Sequence, residues 1–87
     1  MRVKDGFILR KVGKQYVVVA TGEVSKQFNG MIRLDESGAY AFELLKKDIS
    51  EQELLRALAE KYSMEEAALI QDVKHFLEVL KEENALD

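Results

Sequence analysis

The sequence predicts an α+β fold, in which a three-stranded antiparallel sheet is followed by three helices. Before about residue 35, short runs rich in apolar and β-branched residues alternate with turn residues, which is typical of strands. After that point, apolar residues recur every three or four positions, which is typical of amphipathic helices. The length of 87 residues predicts a single domain over residues 1–87, because it is too short for two separate cores.

The first two strands are predicted to form a tight hairpin. They span residues 7–12 and 15–21, and only Gly13 and Lys14 separate them. A two-residue loop with glycine first is typical of a type II′ turn. Residues 17–19 are all valine and place apolar side chains on both faces of the second strand, which predicts that this strand is central.

A short third strand is predicted at residues 31–34, after the turn dipeptide Asn29-Gly30. Phe28 is expected to fold under the sheet as a lid on the core, and the polar residues 1–6 are expected to be loose. If the third strand pairs with the second, its other side is an open edge that offers unpaired N–H and C=O groups.

The first two helices are each predicted from a capping residue. Asp35 can accept a hydrogen bond at the start of a helix over about residues 36–46. Ser50 and Glu53 form a capping box at the start of the second helix. The apolar faces of these helices contain Gly38, Ala41, Phe42, Leu45, Leu54, Leu55, Leu58 and Tyr62.

The third helix is predicted over about residues 64–83, after a second capping box formed by Ser63 and Glu66. Its core stripe contains Leu69, Ile70, Val73, Phe76, Leu77 and Leu80. One flank of the stripe carries Ala67, Lys74, Glu78 and Lys81, and the other carries Ala68, Asp72 and Val79. The second flank is the more apolar and hints at a partner groove, but the sequence does not decide which flank lines it.

Composition and charge argue against several classes of function. The net charge is −3, whereas dedicated nucleic-acid-binding domains usually carry a basic face. Residues 64–83 contain two lysines against six acidic residues, so phosphates would be repelled by the third helix. The absence of cysteine excludes disulfides and thiolate metal sites. No apolar segment suits a signal peptide or a membrane span, so a soluble cytoplasmic protein is expected.

The sequence contains no recognisable catalytic constellation. His75 is the single histidine and falls on the polar side of the third helix, away from the core stripe. Ser50 and Ser63 are explained as caps, and no phosphate-binding loop or dinucleotide fingerprint occurs. We therefore expect no enzyme activity, no metal and no cofactor.

Several groups of residues occur in an order that matches a known family. They are Phe-Asn-Gly-Met-Ile at 28–32, Leu-Asp-Glu-Ser-Gly-Ala at 34–39, Phe-Glu-Leu-Leu at 42–45, Glu-Lys-Tyr at 60–62 and Asp-Val-Lys-His-Phe-Leu-Glu-Val-Leu at 72–80. This order resembles the coenzyme PQQ synthesis protein D family. The chain departs from that pattern at Asp35 and Ser37, where Asn and Thr are common, and at Phe42, where Trp is frequent.

The resemblance implies a permuted winged helix-turn-helix domain that recognises a peptide. Members bind the leader segment of a ribosomally made precursor peptide and present it to a modifying enzyme, often a radical S-adenosylmethionine enzyme. The leader adds as an extra strand to the third strand and rests against the third helix. The peptide-binding residues implied here are Met31, Ile32, Arg33, Leu34, Leu69, Asp72, Val73, Phe76 and Val79.

An open strand edge supports this binding mode on physical grounds, because it offers backbone groups to any extended peptide. Arg33 is interpreted either as a partner for an acidic leader residue or as a gatekeeper against edge-to-edge aggregation. Lys74 would pair similarly if its flank faces the groove. The alternative function is a winged-helix nucleic-acid-binding or transcription-regulatory domain. The sequence leaves open the peptide, the modifying enzyme and whether the edge strand forms a homodimer.

Overall fold

The computed structural model describes residues 1–26 and 30–87. Its strands are β1 (Phe7–Val12), β2 (Gln15–Ala20) and β3 (Met31–Leu34), and a short 3-10 helix spans Gly22–Lys26. Its α-helices are α1 (Glu36–Leu44), α2 (Glu51–Tyr62) and α3 (Glu66–Glu82). The sheet is antiparallel in the order β1-β2-β3. The predicted fold class is confirmed, while the predictions for Phe28 and for the turn at Asn29 lie outside the described residues.

The β1–β2 hairpin forms as the sequence predicts. Val12 pairs with Gln15, which leaves Gly13 and Lys14 as the connecting loop. Gly13 has a φ of 63°, which glycine adopts without steric cost and which the first central position of a type II′ turn requires.

Strand β2 is central and is buried on both faces. Val18 is fully buried against the helices, and Val17 is buried on the opposite, outer face of the sheet. Val17 lies between Arg10 of β1 and Arg33 of β3, whose aliphatic stems can cover it while their charges stay in water. Strand β3 pairs with β2 on one side, and among residues 1–26 and 30–87 no strand pairs with its other side.

Two of the predicted helix caps are present and fix where α1 and α2 begin. The Gly38 N–H donates to Asp35 Oδ1 at 2.8 Å. The Glu53 N–H donates to Ser50 Oγ at 3.0 Å, and the Ser50 N–H donates to Glu53 Oε1 at 3.2 Å. The core lies between the inner sheet face and the helices, and its largest fully buried side chains are Phe42, Leu45, Leu54, Leu77, Leu80 and Val18.

The predicted second capping box is wrong. Ser63 ends α2 in the left-handed conformation, with a φ of 52°, and its N–H bonds back to the last turn of that helix. Helix α3 then starts only at Glu66, too late for Ser63 to cap it, and it begins without a side-chain cap. The assignment of Ile70 to the core is also wrong, since this residue is 37% exposed and lies beside the seam formed by Leu69 and Val73.

The prediction that residues 1–6 are loose is wrong as well, because the two ends of the chain pair with each other. Val3 is buried and forms an antiparallel bridge with Leu86. The Val3 N–H donates to the Leu45 carbonyl at 2.8 Å, and Arg2 Nη2 lies 3.0 Å from Asp87 Oδ2. Partners so distant along the chain leave no signal in the local composition of residues 1–6.

Candidate peptide-binding groove

An open groove of about 400 Å³ runs beside β3 and α3. Its floor is apolar because Ile32, Leu69 and Val73 are buried there. Phe76 and Val79 are half-buried and form the wall on the α3 side. The floor is already shielded from water, so a ligand in this groove would bury mainly the wall side chains.

Successive side chains of β3 point to opposite faces of the sheet, and this determines which of them reach the groove. Ile32 pairs with Val18 and is buried towards the helices, and Leu34 has the same orientation and is half-buried. Met31 and Arg33 alternate to the outer face of the sheet, where Met31 is 57% exposed. Arg33 still contributes to the groove rim, whereas Met31 is not part of the lining.

Helix α3 presents the more apolar of its two flanks to the groove. Asp72 and Val79 line it, whereas Lys74 on the other flank does not. The structure therefore shows which of the two flanks lines the groove, a question that the sequence leaves open. His75, which is exposed and which the sequence analysis assigned to a solvated surface, also lies at the rim.

The unpaired edge of β3 adjoins this groove. In an antiparallel strand, the N–H and C=O groups of alternate residues point to opposite neighbours, so an edge strand leaves half of them unpaired. Apart from pairing with β2, the backbone of Met31–Leu34 makes no hydrogen bond with the part of the chain that the structure describes. The edge thus offers about 13 Å of backbone to an incoming strand, at roughly 3.3 Å per residue.

Helices α1 and α2 close the groove at the end where α1 begins. Asp35, Ser37 and Gly38 line this end, together with Tyr62 of α2. The Tyr62 hydroxyl oxygen is buried and has no hydrogen-bond partner among the described residues. Burial, and then the nearby carboxylates of Glu36 and Asp35, raise the pKa of Tyr62 above that of a free tyrosine.

Most of the residues predicted as the peptide site come together in the lining, which contains Ile32, Arg33, Leu34, Leu69, Asp72, Val73, Phe76 and Val79. Contact of these residues with a peptide remains a prediction. Ala41, Leu58 and Tyr62 also line the groove, although the sequence did not predict them as site residues. Their helical spacing marked them as apolar-face residues, but only the packing of α1 and α2 beside α3 brings them to the groove.

The groove is suited to binding an extended chain. Its apolar floor can accept alternate side chains of a strand, while the open edge of β3 pairs with the backbone of that strand. Within the described ranges, no three His, Asp or Glu side chains are grouped so that they could hold a metal ion. In the same ranges, no helix is long and apolar enough to cross a membrane.

Comparisons with known proteins found a matching family model and a solved structure of similar fold. The family model described as coenzyme PQQ synthesis protein D matches residues 15–86, which confirms the resemblance in the motif order. No curated protein matches the chain. A similar solved structure is that of TbiB1 in complex with the TbiA(beta) leader peptide, with a TM-score of 0.76 and 20% identity. The alignment covers 100% of this chain and 95% of that one, and at this identity it supports the fold alone.

Proposed function

This chain belongs to the coenzyme PQQ synthesis protein D family, and we propose that it is a non-catalytic domain that binds the leader segment of a ribosomally synthesised precursor peptide. The observation that carries the proposal is the bare edge of β3 beside the apolar groove. In this proposal residues 1–87 act as one domain and present the bound peptide to a modifying enzyme. TbiB1, which has the same fold, is itself described in complex with a leader peptide.

The bound leader adds as a fourth strand next to β3. Its backbone pairs with the outward groups of Met31–Leu34, and every second side chain enters the groove. Leu69, Val73 and Phe76 meet those inward side chains, with Asp72 and Val79 beside them. The other leader side chains lie on the outer sheet face, where Arg33 is placed to pair with an acidic residue.

The energetics suit a reversible complex. Each backbone hydrogen bond at the edge contributes about 0.5–1.5 kcal/mol net. Burying one large apolar side chain of the leader contributes about 1.5–3 kcal/mol. After the cost of association and of ordering the peptide, at least about 4 kcal/mol, is subtracted, a few such contacts correspond to a Kd of about 1 μM or weaker.

The receiving enzyme is proposed to be of the radical S-adenosylmethionine type, as is frequent for this family. The chain is proposed to act in the cytoplasm, where a ribosomal peptide is made. The edge of β3 is also proposed to allow a homodimer in the absence of peptide. Leader and homodimer would then compete for the same backbone groups.

Titration of the isotope-labelled chain with a synthetic leader peptide tests this proposal. The peptide is the leader segment of a precursor whose gene lies near the gene for this chain, and a scrambled peptide is the control. We expect amide shift changes in Met31–Leu34 and in residues 69–79, and none with the scrambled peptide. Shift changes confined to other regions would reject the groove, and a lack of any binding would reject the function.

A further inference from the structure

The Tyr62 hydroxyl is a buried polar group that lacks a hydrogen-bond partner within the described chain. Buried polar groups of this kind are rare in native proteins, since a hydroxyl that loses water without gaining a partner destabilises the fold. Tyr62 ends α2 and its side chain lines the groove. An orphan hydroxyl in a ligand groove is explained if the ligand supplies its partner.

The surroundings of this hydroxyl limit which ligand group can be that partner. Burial, and then the nearby carboxylates of Glu36 and Asp35, raise the pKa of Tyr62, so the hydroxyl keeps its proton at neutral pH and can donate it. Because these two groups are negative, they repel a carboxylate from the ligand. An ammonium group carries no acceptor, so it cannot receive the Tyr62 proton.

Asp35 has spare hydrogen-bonding capacity at the same end of the groove. Its Oδ1 accepts from the Gly38 N–H at 2.8 Å and from Ser37 Oγ at 3.0 Å. Asp35 is exposed, and its Oδ2 has no protein donor among the described residues, so this oxygen is open to a ligand in place of water. This end of the groove therefore offers one unused donor and one unused acceptor. A primary amide complements both, because its oxygen accepts and its nitrogen donates.

We propose that Tyr62 and Asp35 form a polar subsite at the α1 end of the groove, which selects a carboxamide side chain, Asn or Gln, in the bound peptide. The proposal rests on the leader-binding function and names a feature of the leader. The amide oxygen accepts from the Tyr62 hydroxyl, and the amide nitrogen donates to Asp35. The hydroxyl oxygen is shielded from solvent in the free chain, so this contact requires a slight turn of the Tyr62 ring towards the open groove.

The test compares Tyr62→Phe with Tyr40→Phe by calorimetric titration with the synthetic leader. Tyr40 packs edge-on against Tyr62, at 6.3 Å between ring centroids, but it is not part of the groove lining. Tyr62→Phe is expected to weaken leader binding about tenfold, the size of one hydrogen bond, whereas Tyr40→Phe changes it less than about twofold. The melting temperature of Tyr62→Phe is expected not to fall, because an orphan hydroxyl is removed.

A second measurement identifies the peptide side of the contact. Each Asn or Gln of the leader is replaced in turn by Leu, and both chains are titrated with each peptide. One of these replacements is expected to weaken binding to the natural chain about tenfold, as Tyr62→Phe does. The same replacement is expected not to weaken binding to the Tyr62→Phe variant any further. Replacing that residue by Asp or Glu is expected to weaken binding more.

Several results would overturn the subsite while leaving the leader-binding function intact. They are equal affinities of the natural chain and Tyr62→Phe, an equal loss in Tyr40→Phe, or a leader that binds well without Asn or Gln. Tighter binding of the Asp or Glu peptide would also overturn it. If the leader does not bind the natural chain at all, the proposed function fails and the subsite fails with it.

Discussion

Truncating Val79 to alanine tests whether the wall of α3 contacts the leader. The substitution removes two methyl groups, worth about 1.6 kcal/mol if they were fully transferred from water. Val79 is already mostly buried in the free chain, so at most about a third of this, ~0.6 kcal/mol, is at stake on binding. The dissociation constant should therefore rise about threefold. Val79→Asp should raise it more than tenfold, because a bound peptide would desolvate the new carboxylate.

Ile70 supplies the matched control, because it is an aliphatic residue of the same helix that lies outside the groove lining and is 37% exposed. Ile70→Ala should leave the affinity for the leader within about twofold. Fluorescence anisotropy with a labelled leader measures both affinities, and urea unfolding shows that each variant is folded. Equal losses of affinity in the two variants, or an unchanged affinity of Val79→Ala, would refute the assignment of this flank to the peptide.

Three further predictions concern the strand edge, the helix caps and Tyr62. A leader that is N-methylated at the residues whose N–H groups face β3 should bind at least tenfold more weakly than one methylated at the intervening residues, as titration would reveal. Ser50→Ala should lower the free energy of unfolding by about 1 kcal/mol, whereas Ser63→Gly should raise it by up to about 1 kcal/mol, as denaturant melts would show. The folded-state pKa of Tyr62 is raised above the free value of about 10, so its contribution to folding stability is complete below about pH 10 and is lost as the pH rises from there through the higher folded-state pKa; Tyr62→Phe should reduce this loss of stability.

Local chemistry accounts for the parts of the fold that the sequence predicts. The Gly13-Lys14 loop, the Asp35 cap and the Ser50–Glu53 box each depend on residues within four positions of one another. Ser63 shows the limit of this reasoning, since one serine can either start a helix or end one. The left-handed conformation that closes α2 here excludes the cap that would have opened α3.

Long-range packing accounts for what the sequence does not reveal. The burial of Val3 depends on Leu86, and the position of Tyr62 in the groove depends on how α2 packs beside α3. Neither arrangement is marked in the sequence by a periodic pattern or a motif. The flank of α3 that lines the groove is predicted only in part by the sequence. The apolar excess around Val79 indicates which flank is suited to a partner, but only the packing shows that this flank meets β3.

The position of Arg33 reconciles its two interpretations, as an acid-pairing residue and as a gatekeeper. Its side chain lies on the outer sheet face at the unpaired edge. In an edge-to-edge dimer of antiparallel strands, opposite residues share a face, so two Arg33 side chains lie opposite each other or two residues apart. Like charges so placed are destabilising, whereas an acidic residue of an added leader strand is stabilising. The same guanidinium therefore opposes the homodimer and favours the leader, so the edge is biased towards the peptide.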